Sequence, residues 1–417
     1  MTRPTLKIDT KWKLAALRGL PGAIFLLGCL LFCESILPAQ QPLPFAEADQ
    51  RATALFQQSG FTGMVVAIVR DSQVFLKGYG ETSPGSGIRP DGNSLIRLCS
   101  ISKVFTTDLL LKQVALGTVS LSDPLQRFAP RGKLVPNGPA GQRITLEDLA
   151  THTSGLPREV SSYPKNAPHF TFPDQVFRWT WLPRQQLKVA PGTAAAYSNV
   201  GFDLLGDALA FATHKTFAQL LYEQTLRPLA LYNTTLVPSQ QQCARLLLGS
   251  RDEGPCTDTQ PSGASGGLYS TPADMARFLQ YMLRVSGYPA PPGLDLAVAL
   301  TPAQLKTMDG LSHAGDPTGI GRGWIQLGDP ASSSAILEKT GGGAGFSTYI
   351  ALTPTRHTGI FVAVTEGNHD WRVDLFTATN DLLAAVANVP PLPPKVPRPH
   401  RIRKHGTASK RRSRAAS

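Results

Sequence analysis

Metal-binding signatures are missing from this chain. Its eight histidines contain no H-E-x-x-H or comparable ligand spacing, so neither a metal nor another cofactor is expected. The glycine-rich stretch "GGGAG" at Gly341–Gly345 is not followed by G-K-[ST], so it is no phosphate-binding loop. Acidic residues are missing from both ends: nine Lys/Arg and no acid lie from Lys395 onward, and five Lys/Arg face one Asp before Glu34. The formal charge of +12 therefore belongs to the ends. The body between them is near neutral, about −1, which excludes a basic nucleic-acid-binding domain. No internal repeat is visible. Apolar content (42%) with modest charge (17%) suits a globular enzyme-sized domain rather than a disordered chain.

Apolar runs are short as well. "GLPGAIFLLGCLLFC", Gly19–Cys33, has 15 residues, below the roughly 20 that span a bilayer. Preceded by Lys7, Lys11, Lys13 and Arg18 and ended by Glu34, it reads as a secretory signal over residues 1–39. Ala39 offers a cleavage point, with Leu37 a poor residue at its −3 position; an uncleaved anchor is the competing reading. "LLGC" at Leu26–Cys29 resembles a lipoprotein box, but the apolar run continues past it. Export to the periplasm, with or without membrane association, is the expectation.

Cysteine is scarce, with five in 417 residues. Removal of the signal would leave Cys99, Cys243 and Cys256. Cys243 and Cys256 flank a polar Gly/Pro-bearing loop and could pair in an oxidising compartment, or stand as unrelated thiols. Cys99 reads as a small buried residue.

What is present reads as an α+β fold. "FTGMVVAIVR" and "VFLKGYG" around "DSQ" predict an antiparallel hairpin. Helices and long loops dominate from about 120 to 310, including "NVGFDLLGDALAFATH" and the well-capped "STPADMARFLQYML". After Gly319 four strand-like runs return, and "VDLFTATNDLLAAVANV" closes the fold as a helix. Strands at both ends imply one antiparallel sheet built from both chain ends, flanked by helices, with a mostly helical lobe inserted. The domain runs over residues 40–390. Residues 391–417 form a Pro-rich basic tail, either a solvated end or a contact for an anionic envelope surface.

The chemistry starts at "RLCSISKVF". Serine needs a base within reach to act as a nucleophile. If Ser100 opens a helix, Lys103 shares its face one turn on, and the helix N-terminus favours a developing oxyanion. S-x-x-K alone equally suits an ordinary helix cap, and a second copy, Ser162–Lys165, carries Pro164. Two further motifs change the balance. Y-S-N at Tyr197–Asn199 is the only Y-x-N among nine tyrosines, and K-T-G at Lys339–Gly341 occurs once. Cations at Lys103 and Lys339 would lower the Tyr197 pKa from its usual value near 10. Tyr197 could then take the Ser100 proton, or share that role with Lys103. Asn199 would bind a substrate amide or orient Lys103. Lys339 and Thr340 would meet a substrate carboxylate. Gly341 and Gly342 allow close approach, and the Gly342 and Ser100 N–H groups would form an oxyanion hole. His152, Arg97 and Arg158 read as structural or rim residues.

S-x-x-K, Y-x-N and K-T-G in this order resemble the serine penicillin-recognising enzymes, class C β-lactamases and low-molecular-weight penicillin-binding proteins. "IRLCSISKVFTTDLLLKQVALGTVSLSDPL", "LATHTSGLPRE", "AAYSNVGFDLLGDALA", "SGGLYSTPADM" and "KTGGGAGFSTYIAL" are similar to the AmpH-type penicillin-binding proteins, and the likeness covers most of residues 50–385. The resemblance implies a β-lactamase/transpeptidase-like fold and metal-free D-alanyl-D-alanine carboxypeptidase and endopeptidase action on peptidoglycan peptides. It implies covalent β-lactam binding, with Ser100 acylated, Lys103 and Tyr197 transferring protons and Lys339 facing the carboxylate. A class C-like β-lactamase and an esterase share the acylation step and remain alternatives. A catalytically silent binding module is a reading of another class, against which the complete motifs argue.

Overall fold

The computed structural model describes residues 44–161, 171–250, 254–289, 291, 311, 314–343, 345–366 and 373–394. The leader, the Ser162–Lys165 copy of S-x-x-K and the tail from Lys395 lie outside the described residues. Helix α1 (Pro44–Ser59) leads into the hairpin β1 (Gly63–Arg70) and β2 (Gln73–Gly80), joined by a turn with Asp71 at φ 52°. A two-residue strand β3 (Ile96–Arg97) and a 3-10 turn (Cys99–Ile101) precede α2 (Ser102–Ala115). The middle of the chain supplies α3 (Leu146–Ala150), α4 (Gln175–Trp181), α5 (Asn199–Thr213), α6 (Phe217–Leu221), α7 (Gln240–Cys243), β4 (Tyr269–Ser270) and α8 (Pro272–Met282). Strands β5 (Pro317–Ile320), β6 (Ile325–Leu327), β7 (Ile336–Gly343), β8 (Phe346–Thr353) and β9 (Thr358–Thr365) follow, then α9 (Leu375–Ala387).

The main sheet has the order β2-β1-β9-β8-β7-β6-β5, and every neighbouring pair is antiparallel. It is built from both chain ends, as expected, with β1 beside β9 in the register Gly63↔Thr365 to Arg70↔Thr358. Side chains alternate across the sheet with period two. On β1, Val65, Ala67 and Val69 join one hydrophobic cluster, while Met64, Val66 and Ile68 join another. The first cluster includes Leu109 of α2, Leu204 of α5 and Phe278 of α8; the second includes Ala52 of α1 and Leu383 of α9. Both faces are therefore covered, which is why the run Met64–Val69 is apolar without a break.

Helix α2 lies inside the protein: Ser102 through Leu110 are all buried. A helix surrounded by protein needs no polar face. Phe105 stacks on Phe278 with ring centroids 4.0 Å apart. Its buried carboxylate, Asp108, accepts from Lys112 (2.7 Å), Thr225 Oγ1 (2.9 Å) and the Tyr281 hydroxyl (2.6 Å), tying α2 to α8 and to the segment after α6. Cys243 and Cys256 are disulfide-bonded, with Cα atoms 5.8 Å apart. Cys256 packs beside Leu95, Leu246 and Tyr269, and Arg97 Nη2 donates to the Gly254 carbonyl at 2.6 Å. The disulfide loop is thus held against β3, the strand that delivers the chain to Ser100.

Candidate active site

Three segments converge at the seam between sheet and helical lobe. Ser100 sits in the 3-10 turn, two residues before α2 begins at Ser102, rather than in the first α-helical turn that the S-x-x-K spacing predicts. The reason is local: Cys99 has φ 48°, a left-handed conformation that bends the chain sharply just before the serine. Lys103 still stands one turn on, fully buried, with Nζ 3.3 Å from Ser100 Oγ. Ser198 caps α5, accepting from the Gly201 N–H at 3.0 Å, so Asn199 opens that helix and Tyr197 precedes it. The Tyr197 hydroxyl is hydrogen-bonded to Ser100 Oγ. Lys339 lies on β7, 1% exposed, with Nζ 5.1 Å from the centre of the Tyr197 ring. The structure brings Ser100, Lys103, Tyr197, Asn199 and Lys339 together.

The surroundings of Lys103 define what its amine can do. Nζ donates to Asn199 Oδ1 at 2.6 Å and to the Ser265 carbonyl. Both partners are acceptors only, whereas the Ser100 hydroxyl can donate. A neutral amine would give its two N–H bonds to Asn199 and Ser265 and keep its lone pair for the Ser100 proton. Burial favours that state, pushing the amine down to about 7, against the pull of Asp203 and Glu159 in the other direction. Lys339 is pushed down by burial as well.

Tyr197 departs from the expectation that neighbouring cations would lower its pKa. Burial, the largest influence, raises it, outweighing Lys339, the Ser100 hydrogen bond and Arg158. The phenol therefore keeps its proton near neutral pH. Its ring is ringed by charge all the same: Lys103 Nζ lies 4.8 Å and the Arg158 guanidinium 4.6 Å from the centroid. His152 packs against the ring, tilted by 30° with centroids 4.6 Å apart, and accepts the Ser198 N–H on Nδ1 at 3.2 Å. Burial holds His152 well below its ordinary value, so it is a neutral packing partner, consistent with its turn motif. Arg158 lines the cleft mouth, while Arg97 is buried inside.

The cleft has a volume of about 350 Å³. Ser100, Tyr197, Thr340, Gly341 and Gly342 line it, with Phe346 and Phe376 as apolar walls. Gly341 packs tightly on the serine turn: a Cβ there would stand 2.4 Å from the Leu98 carbonyl oxygen and 3.3 Å from the Ser100 nitrogen. This contact sets the Ser100 N–H beside the backbone of β7. The Gly342 N–H faces the buried Cys99 sulfur, whose thiol burial pushes up to about 12. The motifs did not reveal Ser265, Asp203, Glu159 or Arg158 as neighbours of the lysine and tyrosine. Asp203 alone left a trace, one of two carboxylates, with Asp207, in a mostly apolar helix and four residues after Asn199.

An activated serine at the junction of an antiparallel sheet and a helical lobe, with a buried amine, a phenol and a K-T-G strand, defines a penicillin-recognising serine hydrolase. The beta-lactamase family profile matches residues 48–387, and the chain belongs to that family. It is 40% identical over 361 residues to the D-alanyl-D-alanine-carboxypeptidase/endopeptidase AmpH of Escherichia coli (strain K12), covering 85% of this chain and 94% of the relative. A beta-lactamase/D-alanine carboxypeptidase from Yersinia pestis, solved with citrate, superposes with a TM-score of 0.77 at 39% identity, over 83% of this chain and 98% of its own. A class C beta-lactamase shares the fold at a TM-score of 0.64 and 19% identity, over 83% of this chain and 96% of its own.

Proposed function

We propose that the protein is a serine-type D-alanyl-D-alanine carboxypeptidase and endopeptidase acting on peptidoglycan stem peptides, and that β-lactams acylate the same serine. The observation that carries this reading is the Ser100 Oγ within hydrogen-bond reach of both the Lys103 amine and the Tyr197 hydroxyl, on the floor of an open cleft. The relatives' activity supports the substrate class.

Ser100 Oγ attacks the carbonyl carbon of the penultimate D-Ala, and its proton passes to the neutral Lys103 amine. The oxyanion meets the Ser100 N–H, joined by the Gly342 N–H once that group turns from the Cys99 sulfur. Tyr197, protonated, donates to the leaving nitrogen as the C–N bond breaks, and recovers a proton from Lys103. Lys339 and Thr340 face the carboxylate next to the scissile bond. Water then attacks the ester and releases Ser100. Asn199 holds the amine in line. The leader and the basic tail support export to the periplasm and contact with an anionic envelope surface.

The test is intact mass against time with one equivalent of benzylpenicillin, for wild type and Ser100→Ala, alongside D-Ala release from a D-Ala-D-Ala-terminated peptide. A persistent adduct and D-Ala release in the wild type only are expected. Rapid drug loss without D-Ala release would make the protein a β-lactamase instead, and an adduct on Ser100→Ala would refute the site.

A further inference from the structure

Asp203 lies one helical turn beyond Asn199 on α5, so both side chains share a face. That face looks onto the loop containing Ser262–Leu268, which is wedged between α5 and α2. Thr106 Oγ1 of α2 donates to the Ala264 carbonyl at 2.7 Å, and the Leu268 N–H reaches Ser102 Oγ at 3.0 Å. Between these anchors, Asp203 Oδ1 accepts the Ser265 N–H at 3.1 Å, while the Ser265 carbonyl accepts from Lys103 Nζ. One residue therefore links the buried carboxylate to the buried amine. Asp203 is 7% exposed, and among the described residues no cationic side chain reaches it at salt-bridge distance.

We propose that Asp203 is a positioning residue for Lys103, acting through Ser265 and through its own buried charge. The neighbouring Asp207 does not share this role. Its carboxylate is engaged by Arg178, Nη2 to Oδ1 at 2.7 Å, and by Trp179 Nε1 at 3.0 Å. Burial pushes the Asp203 carboxyl up, to about 6, even with Arg178 pulling it down through space. Asp203 is the strongest of the charges that draw the Lys103 amine upward. The remaining groups facing Lys103 are Tyr197, Lys339, Arg158, Glu159, Cys99 and His152, and their charges act alike on wild type and on an Asp203 variant.

A negative Asp203 favours the ammonium, so it raises the pH at which Lys103 becomes a free base. Removing the charge lowers that pH, and the acid side of the acylation profile must move down with it. Asp203→Asn keeps an oxygen for the Ser265 N–H and removes the charge, with an NH2 group in place of the second oxygen. The inference rests on the acyl-enzyme reading above, so the assay is the second-order rate of acylation by a fluorescent penicillin, from pH 5 to pH 9, for wild type, Asp203→Asn and Asp203→Ser. An unlabelled wild type would sink the acyl-enzyme reading itself. A labelled wild type with variants whose midpoint falls by about half a unit or more, roughly a threefold relative gain on the acid side, supports the role of Asp203. A midpoint that stays put under a uniform loss of rate, or that rises, overturns it. So does failure of both variants to fold, which would make the carboxylate a structural element alone.

Discussion

Gly341→Ala is the perturbation that most directly probes the contact between β7 and the serine turn. The added Cβ would stand 2.3 Å from Thr348 Oγ1 and 2.4 Å from the Leu98 carbonyl oxygen, whereas ordinary contacts begin at 3.4 Å. Thr348 cannot simply rotate clear at no cost, because its hydroxyl already donates to that same carbonyl at 3.0 Å. Leu98 is backbone, two residues from the nucleophile. Relief of about 1 Å has to come from moving the serine turn away from β7. A displacement of that size at reacting groups costs on the order of 100-fold in rate, about 2.7 kcal/mol of barrier, and the overpacking itself about 1–3 kcal/mol of stability. Gly342→Ala is the control, since its Cβ would meet nothing closer than the Phe346 carbonyl at 3.4 Å. The assay is the acylation rate with benzylpenicillin, followed by intact mass, beside a thermal melt of each protein. Gly341→Ala acylating within about threefold of wild type would show that the strand and the turn are not coupled as described.

Two further substitutions test other parts of the architecture. Tyr197→Phe removes the hydroxyl bonded to Ser100 but keeps the ring among Lys103, Lys339, Arg158 and His152; acylation should fall by about 10²–10⁴-fold with a melting temperature near wild type, both read on one preparation. Replacing Cys243 and Cys256 together by serine opens the loop that holds Gly254 against Arg97; denaturant unfolding should register a loss of about 2–3 kcal/mol, and an unchanged midpoint would mean that the loop is held by Arg97 and the Tyr269 cluster alone.

The strands were legible because both faces of the sheet are covered. β1, β8 and β9 are buried along almost their whole length and mostly apolar, and such runs bounded by turn residues have few other ways to fold. Y-S-N and K-T-G were legible because each carries chemistry at a fixed spacing within a recognisable strand or cap. Less was visible where packing decides. The 3-10 turn depends on the left-handed backbone of Cys99, which no propensity for cysteine announces. Ser265 acts through its carbonyl, so its side chain says nothing of its place beside Lys103. The direction of the Tyr197 shift depends on how much water the assembled lobe excludes, and a charge count taken from motifs omits that.

Exclusion of water acts oppositely on the two groups beside Ser100, and this difference divides their labour. Desolvation penalises the charged form of each. For Lys103 the charged form is the protonated one, so burial brings the amine down to about 7, where a lone pair is available near neutral pH. For Tyr197 the charged form is the deprotonated one, so burial keeps the phenol intact. A group with a free lone pair can take the serine proton; a group that keeps its own can hand one to a leaving nitrogen. The hydrogen bonds fit that division, since Lys103 has two fixed acceptors for its N–H bonds and Ser100 stands at the third direction, while the Tyr197 hydroxyl bridges from Ser100 to the open cleft. A tyrosinate base would need Lys103 and Lys339 both fully charged beside it, and burial works against all three charges at once. On electrostatic grounds, then, the mechanism we propose takes Lys103 as the base for acylation and Tyr197 as the proton donor that completes it.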